Sequence, residues 1–121
     1  MSKKIVIYGA GGFGREVQWL IERINQQEPT WEILGYVDDG VQKGNIIDDC
    51  KVIGGIDYLL KFEEELAVAF AVGSAKVRRK LVDKCKKNPK LYYPNLIDPS
   101  VIFSNRIMYG KGNIICAGNI L

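Results

Sequence analysis

No histidine occurs anywhere in the 121 residues, which removes the commonest general base and the commonest metal ligand from the chemistry open to this chain. Cysteine is scarce as well. Cys50, Cys85 and Cys116 lie far apart and form no C-x-x-C pair, so neither a zinc site nor a disulfide framework is expected, and the thiols read as buried or idle in a reducing compartment. No apolar run approaches the roughly 20 residues that a membrane span requires. The opening MSKKIVIYGA sets two lysines before a very short apolar stretch; it reads as a first strand, and a cytoplasmic location with no membrane partner is expected. Aromatic residues are missing from the one strongly basic segment. Lys76 to Lys90 holds eight basic residues and one acid, leaving nine basic and thirteen acidic residues elsewhere. Without interleaved aromatics, that segment reads as the solvated face of a helix whose inner positions are Val77, Leu81, Val82 and Cys85, not as a nucleic-acid surface.

What is present is the composition of an ordinary globular chain, 47% hydrophobic and 26% charged, which argues against disorder and fits one compact domain. Lys4 to Tyr8 is short, apolar and β-branched, and Gly9 to Gly14 follows at once, so the strand ends in a tight turn. Val17, Leu20, Ile21 and Ile24 then fall at i, i+3, i+4 and i+7, the stripe of a helix that Asn25 to Pro29 breaks. Trp31 to Val37 is a second strand, closed by Asp38, Asp39 and Gly40. Past a polar loop come a short strand at Lys51 to Ile53, a turn at Gly54 and Gly55, and a short helix from Ile56 to Phe62. Leu66 to Val72 is almost wholly apolar, as a central strand covered on both faces must be, and Gly73-Ser74 leads into the basic helix. Strand alternating with helix predicts an α/β, Rossmann-like parallel sheet with flanking helices and a ligand at the carboxyl ends of its strands.

Beyond Lys90 the rhythm changes. Leu96, Ile102, Met108, Ile114 and Ile120 recur every six residues, as do Ile97, Phe103, Tyr109, Ile115 and Leu121, with Gly110, Gly112 and Gly118 between them. Period six fits neither a helix stripe nor an alternating strand. It points to the hexapeptide solenoid, a β-helix of about 18 residues per coil in which each coil buries its apolar side against the next. Residues 96–121 make little more than one such coil, so two units are expected, 1–95 and 96–121, and the chain reads as the amino-terminal part of a longer protein.

The glycine turn carries the chemistry. Gly9-Ala10-Gly11-Gly12-Phe13-Gly14 satisfies G-x-G-x-x-G directly between a strand and a helix. Gly9 permits the sharp turn, Gly11 lets backbone approach phosphate with no Cβ in the way, and Gly14 allows close helix–strand packing. Unpaired amides and the positive end of the helix dipole then favour an anion without a basic side chain. Asp38 and Asp39 end the second strand 24 residues after Gly14, where the Rossmann pattern places an acid on a ribose or base edge. Asp-Asp-Gly is also good turn chemistry. Gly73 and Ser74 border the same crevice, although Ser74 equally suits a helix N-cap.

Taken together, GAGGFGREV, GYVDD, VIGGIDYL, AFAVGSAKVRRKL, PNLIDPS and GKGNIICAGNIL resemble the bacterial sugar acyltransferases of the sialic-acid O-acetyltransferase and nucleotide-aminosugar N-acetyltransferase type, over the whole chain. The resemblance implies a Rossmann-like domain that binds a nucleotide sugar, a UDP-amino sugar before others, and the first coil of a left-handed β-helix that in full-length members binds acetyl-CoA and forms a homotrimer. It implies no metal. The phosphates and sugar would lie along Gly9, Gly11, Gly12, Phe13 and Gly14, with base and ribose at Asp38 and Asp39. Ala71, Val72, Gly73, Ser74 and Arg78 match the family's positions after the central strand. Phe13 stands where some relatives have histidine, and Asp98 where histidine often precedes Pro-Ser. The family's catalytic histidine lies beyond the matched segment, so this chain is expected to bind the sugar nucleotide without itself transferring an acyl group in surface glycan synthesis. A small NAD-type dinucleotide-binding oxidoreductase or sensor domain is the alternative that the glycine turn and Asp38 would equally allow; it leaves the six-residue repeat unexplained.

Overall fold

In the computed structural model of the chain, residues 2–47, 49–101 and 114–115 are described. β1 (Lys3–Tyr8) leads through the glycine turn into α1 (Gly12–Gln27), and β2 (Trp31–Val37) follows. Next come β3 (Ile46–Ile47), β4 (Cys50–Gly54), α2 (Ile56–Lys61), β5 (Leu66–Phe70) and α3 (Ala75–Cys85). β6 (Leu91–Tyr92), β7 (Leu96–Ile97) and β8 (Ile114–Ile115) are two-residue strands. The sheet runs β3-β4-β2-β1-β5-β6. Every pairing among β4, β2, β1, β5 and β6 is parallel, as the alternation with helices requires. The expected Rossmann-like sheet is therefore present, with one addition at its edge. Ile46 and Ile47 turn back antiparallel on Lys51 and Cys50, which makes the sheet mixed.

Alternation along each central strand divides the core into two layers. Ile5, Ile7, Ala67, Ala69 and Ala71 face α1, where Val17, Leu20 and Ile21 meet them. Val6, Tyr8, Leu66, Val68 and Phe70 face the other way, onto Leu59 of α2 and Leu81 and Cys85 of α3. Strands buried on both sides read as continuous apolar runs for this reason. Along α3 the expected inner stripe holds at Leu81 and Cys85, but Val77 is 45% exposed. Its turn lies at the start of the helix, and only the later turns reach the core.

Polar side chains fix the connections. Asn25 Oδ1 accepts from the Thr30 and Trp31 amides while its Nδ2 donates to the Trp31 carbonyl, closing the link from α1 to β2. Buried Asn88 donates to the carbonyls of Leu59 at 2.8 Å and Phe62 at 3.0 Å, and accepts from the Lys90 amide. It satisfies the end of α2 that the helix itself leaves open. Asn88→Ala strands the Phe62 carbonyl and leaves that of Leu59 only the 3.4 Å bond from the Phe62 amide, and it is expected to cost about 1–3 kcal/mol, the cost of a buried unsatisfied group. Urea denaturation measures this, and a loss below about 0.5 kcal/mol, within the usual surface range, would contradict it.

The carboxyl-terminal strands join the domain through α1. Leu96 belongs to the α1-side core and Ile114 packs at its border. β7 and β8 pair in parallel, Leu96 opposite Ile114 and Ile97 opposite Ile115, an offset of three hexads. The other positions of the two six-residue registers lie outside the described residues. Asp98 anchors the junction. Its fully buried carboxylate accepts from Arg23 Nε at 2.5 Å and Nη2 at 3.2 Å and from the Ser100 amide at 2.9 Å, and the Arg23 guanidinium also lies 5.0 Å from the Trp19 ring. The Arg23 guanidinium, more than the Ser100 amide, holds the carboxyl far below the usual carboxylate range, against the opposing effect of burial. A depressed folded-state pKa contributes stability above the unfolded value near about 3.9 and loses it as pH falls below that. The wild-type urea midpoint is therefore expected to fall more steeply than that of Asp98→Asn below about pH 4, and parallel curves would remove the pair from the stability of the junction.

Candidate functional site

The site is the carboxyl edge of β2, β1 and β5, three neighbours whose following loops must meet. Tyr8 ends β1. The Gly9 amide donates to the Val37 carbonyl at 2.9 Å and the Ala71 amide to the Tyr8 carbonyl at 2.8 Å, so the turn is stitched to both flanking strands. Gly9 has φ +112°, and a Cβ there would lie 2.6 Å from the Ala71 carbonyl oxygen; no other residue fits. Gly14 is the second obligatory glycine, because a Cβ would strike the Gly9 carbonyl oxygen and come within 3.1 Å of the Tyr36 ring.

Gly11, Gly12 and Gly73 behave differently. A Cβ at any of the three would meet nothing within 4 Å, and Gly11 sits at φ −91°, where any residue is comfortable. Neither packing nor backbone geometry demands glycine at these positions, yet all three line one edge. Close approach by something outside the chain is the remaining use of a missing side chain. No side chain caps α1, and its first turn has no acid, so the amides of Gly12, Phe13 and Gly14 have no partner within the helix and stand at the positive end of its dipole. α3 contrasts with it. There the Ser74 hydroxyl accepts from the Val77 amide, which is the N-cap reading of Ser74.

Asp38 and Asp39 reach this edge as expected, but their carboxylates are engaged within the protein. Asp38 Oδ2 accepts from the Ala10 amide at 2.9 Å and Oδ1 from the Gly40 amide at 2.8 Å, so Asp38 clasps the glycine turn. Asp39 accepts from the Tyr8 hydroxyl at 2.5 Å and from the Ile56 amide at 2.9 Å, which ties β1 to the start of α2. Burial above all, then the bond to Asp39, pushes the Tyr8 phenol far above its usual range, so it remains a donor. Asp39 is the more exposed of the two acids. Ala71 is buried, Val72 half-buried, and Gly73 and Ser74 exposed beside the turn. Arg78 lies exposed one turn into α3, and Phe13 is 36% exposed.

Sequence reasoning missed Tyr8, Tyr36 and Gln18. The Tyr36 hydroxyl lies 2.5 Å from Gln18 Oε1 and 3.3 Å from the Gly14 carbonyl, buried beneath the turn. A tyrosine as the last residue of the first strand was the available signal for Tyr8. From Gly54 and Gly55 a groove of about 360 Å³ continues along α2, walled by Lys43, Tyr58, Lys61 and Phe62. Another, of about 370 Å³, lies at the opposite, amino-terminal edge between Lys3, Glu65 and Tyr92; no glycine turn or helix start meets it. Cys85 is buried, and burial raises its thiol pKa, which leaves it unreactive. Among the described residues no group of three or more carboxylates and thiols is placed to hold a metal ion, and no helix is long and apolar enough to cross a membrane.

Comparison with known proteins gives one family. The profile described as "PglD N-terminal domain" matches residues 4–85. No curated protein matches. Among solved structures, the acetyltransferase domain of PglB from Neisseria gonorrhoeae FA1090, in complex with acetyl coenzyme A, is similar at a TM-score of 0.79 and 25% identity, over 99% of this chain and 56% of that one. PerB from Caulobacter crescentus, in complex with CoA and GDP-perosamine, is similar at 0.81 and 23% identity, over 98% of this chain and 53% of that one; at that identity the likeness speaks for the fold. The chain spans little more than half the length of these relatives.

Proposed function

Because the chain belongs to the PglD N-terminal domain family, we propose that it is the nucleotide-sugar-binding part of an acetyl-CoA-dependent sugar acyltransferase acting in surface glycan biosynthesis. Residues 1–95 form the sugar-nucleotide domain, and residues 96–121 begin the left-handed β-helix whose further coils hold acetyl-CoA and assemble the homotrimer. The ligand is a nucleotide-linked amino sugar, UDP-linked by the sequence reading, while PerB is seen with GDP-perosamine. The observation that carries this reading is the set of glycines at Gly11, Gly12 and Gly73, which the fold does not need and which border an uncapped helix start.

In this reading the diphosphate lies on the amides of Gly12, Phe13 and Gly14, where donors and dipole replace the water it loses. Gly73 leaves room on the β5 side, and Val72, Ser74 and Arg78 complete that wall. Asp38 acts through the turn it clasps. Asp39, more exposed and with lone pairs to spare, meets ribose and base where the groove along α2 opens. With no histidine in the sequence, the proton that leaves the sugar amine or hydroxyl during acyl transfer has no imidazole here to accept it, and this chain alone should bind and not transfer. Calorimetry with a UDP-amino sugar, a GDP-amino sugar and NAD tests the reading. Binding of either amino sugar supports it; tight binding of NAD alone would replace it with a dinucleotide enzyme.

A further inference from the structure

α3 and the turn after it carry Lys76, Arg78, Arg79, Lys80, Lys84 and Lys87, all exposed. Among the described residues none of the six makes an ion pair, whereas Lys86 pairs with Asp83 and Lys90 donates to the Glu63 carbonyl. Lys76, Lys80 and Lys84 stand four residues apart, so like charges stack along one line of the helix, which weakens it. Lys76 also sits in the first turn, where the dipole disfavours a cation and no acid offsets it. Lys84 in the last turn suits the dipole, but the start of the line does not, and a solvated face does not need this arrangement, because alternating signs would be solvated equally well.

Position supplies a reason. α3 is capped by Ser74, directly after the segment that the Ala71 amide ties to Tyr8, so the stripe begins at the edge that holds the glycine turn and runs away from it. Eleven residues of helix extend about 16 Å. The far cations therefore cannot touch a phosphate held on α1, and act on it through a field that reaches furthest at low salt, where the Debye length grows to about 30 Å. Outside Lys76 to Lys90 the chain has thirteen acids against nine bases, so the remaining surface repels an anion on average, and this stripe is the attractive approach.

We propose that the α3 stripe is an electrostatic collecting surface for the diphosphate of the nucleotide sugar: it steers the anion toward the glycine turn and sets the association rate, and its far cations Lys84 and Lys87 make no contact in the bound state. The proposal rests on the nucleotide-sugar reading. Steering of this kind raises association rates and collapses as salt is added. Lys84 and Lys87 are too distant for contact, and reversing them with Lys80 enlarges the change in field, while an unchanged dissociation rate shows that no contact was lost with it.

The test is stopped-flow binding of a fluorescent nucleoside diphosphate, displaced by the amino-sugar nucleotide, to the full chain and to the Lys80→Glu/Lys84→Glu/Lys87→Glu variant. At about 20 mM salt the variant should associate about three- to tenfold more slowly; at about 500 mM the two should agree within about twofold, with dissociation rates alike throughout. Agreement at high salt also shows that the variant is folded. Equal association at low salt, or an effect confined to dissociation, overturns the proposal. So does tight binding of single-stranded RNA by the wild type at physiological salt that the variant loses, which would assign the stripe to a polymer. A wild type that binds no nucleotide sugar at any salt refutes the nucleotide-sugar reading itself, a different result from binding with an unchanged rate.

Discussion

Gly14→Ala is expected to lose at least about 4 kcal/mol of stability, and Gly14→Val to yield no folded protein. The added Cβ lands on the Gly9 carbonyl oxygen and against the Tyr36 ring, and neither neighbour has freedom to retreat. Gly9 is held by its amide bond to Val37, by its left-handed φ, and by the Ala71 carbonyl directly beneath it. Tyr36 is fully buried with its hydroxyl against Gln18. Relief would require α1 to lift from the sheet, which opens the layer where Val17, Leu20 and Ile21 meet Ile5 and Ile7. Overpacking alone costs about 1–3 kcal/mol, and the loosened layer adds to it. A domain of this size has about 5–15 kcal/mol in total. Gly12→Ala is the control, two residues away in the same helix. Its Cβ meets nothing, and alanine is the better helix former even though the first position of a helix feels less than the interior preference, so this variant should be as stable as the wild type or more so. Urea denaturation of the pair is decisive: equal midpoints would mean that the helix–strand approach at Gly14 is not the constraint described.

The difference between Gly14 and Gly12 also marks what was legible in the sequence. The strand–turn–helix was, because a β-branched run, a glycine cluster and a 3.6-residue stripe each have one physical reading and all three adjoin. Both faces of the central strands were readable for the same reason. The β3 edge strand was not, since two residues in a polar loop become a strand only by pairing with β4. Val77 was misassigned because helical spacing gives the face a residue occupies but not how far along the helix that face meets the core. For the site, the sequence placed Asp38 and Asp39 at the correct strand end. It gave no sign of where their carboxylates turn, because the partners Tyr8 and Ala10 lie at the end of β1 and Ile56 at the start of α2, segments that only the sheet brings to Asp38 and Asp39. Nor did G-x-G-x-x-G distinguish glycines required by the fold from those it leaves idle; that distinction needs the neighbours of each absent Cβ.

Gly11→Val uses that distinction to separate binding from folding. Valine suits φ −91° and ψ −163°, and no atom lies within 4 Å of its Cβ. The one structural cost is a poorer N-cap, at about 0.5–1 kcal/mol, so melting and urea curves should nearly overlay those of the wild type. Binding should not survive. Two methyl groups would stand in front of the amides of Gly12 and Phe13, where the diphosphate must come within hydrogen-bond distance of about 2.9 Å. Keeping phosphate oxygens out of that distance forfeits at least two charge-assisted bonds of about 1.5–3 kcal/mol each, and an affinity loss of at least about 100-fold corresponds to about 2.7 kcal/mol. Calorimetry with the amino-sugar nucleotide that the wild type binds measures it, with the denaturation curve of the same sample as companion. Wild-type affinity in a folded Gly11→Val protein would place the ligand elsewhere, with the groove along α2 next in line. Loss of folding together with binding would show instead that Gly11, like Gly14, serves the fold.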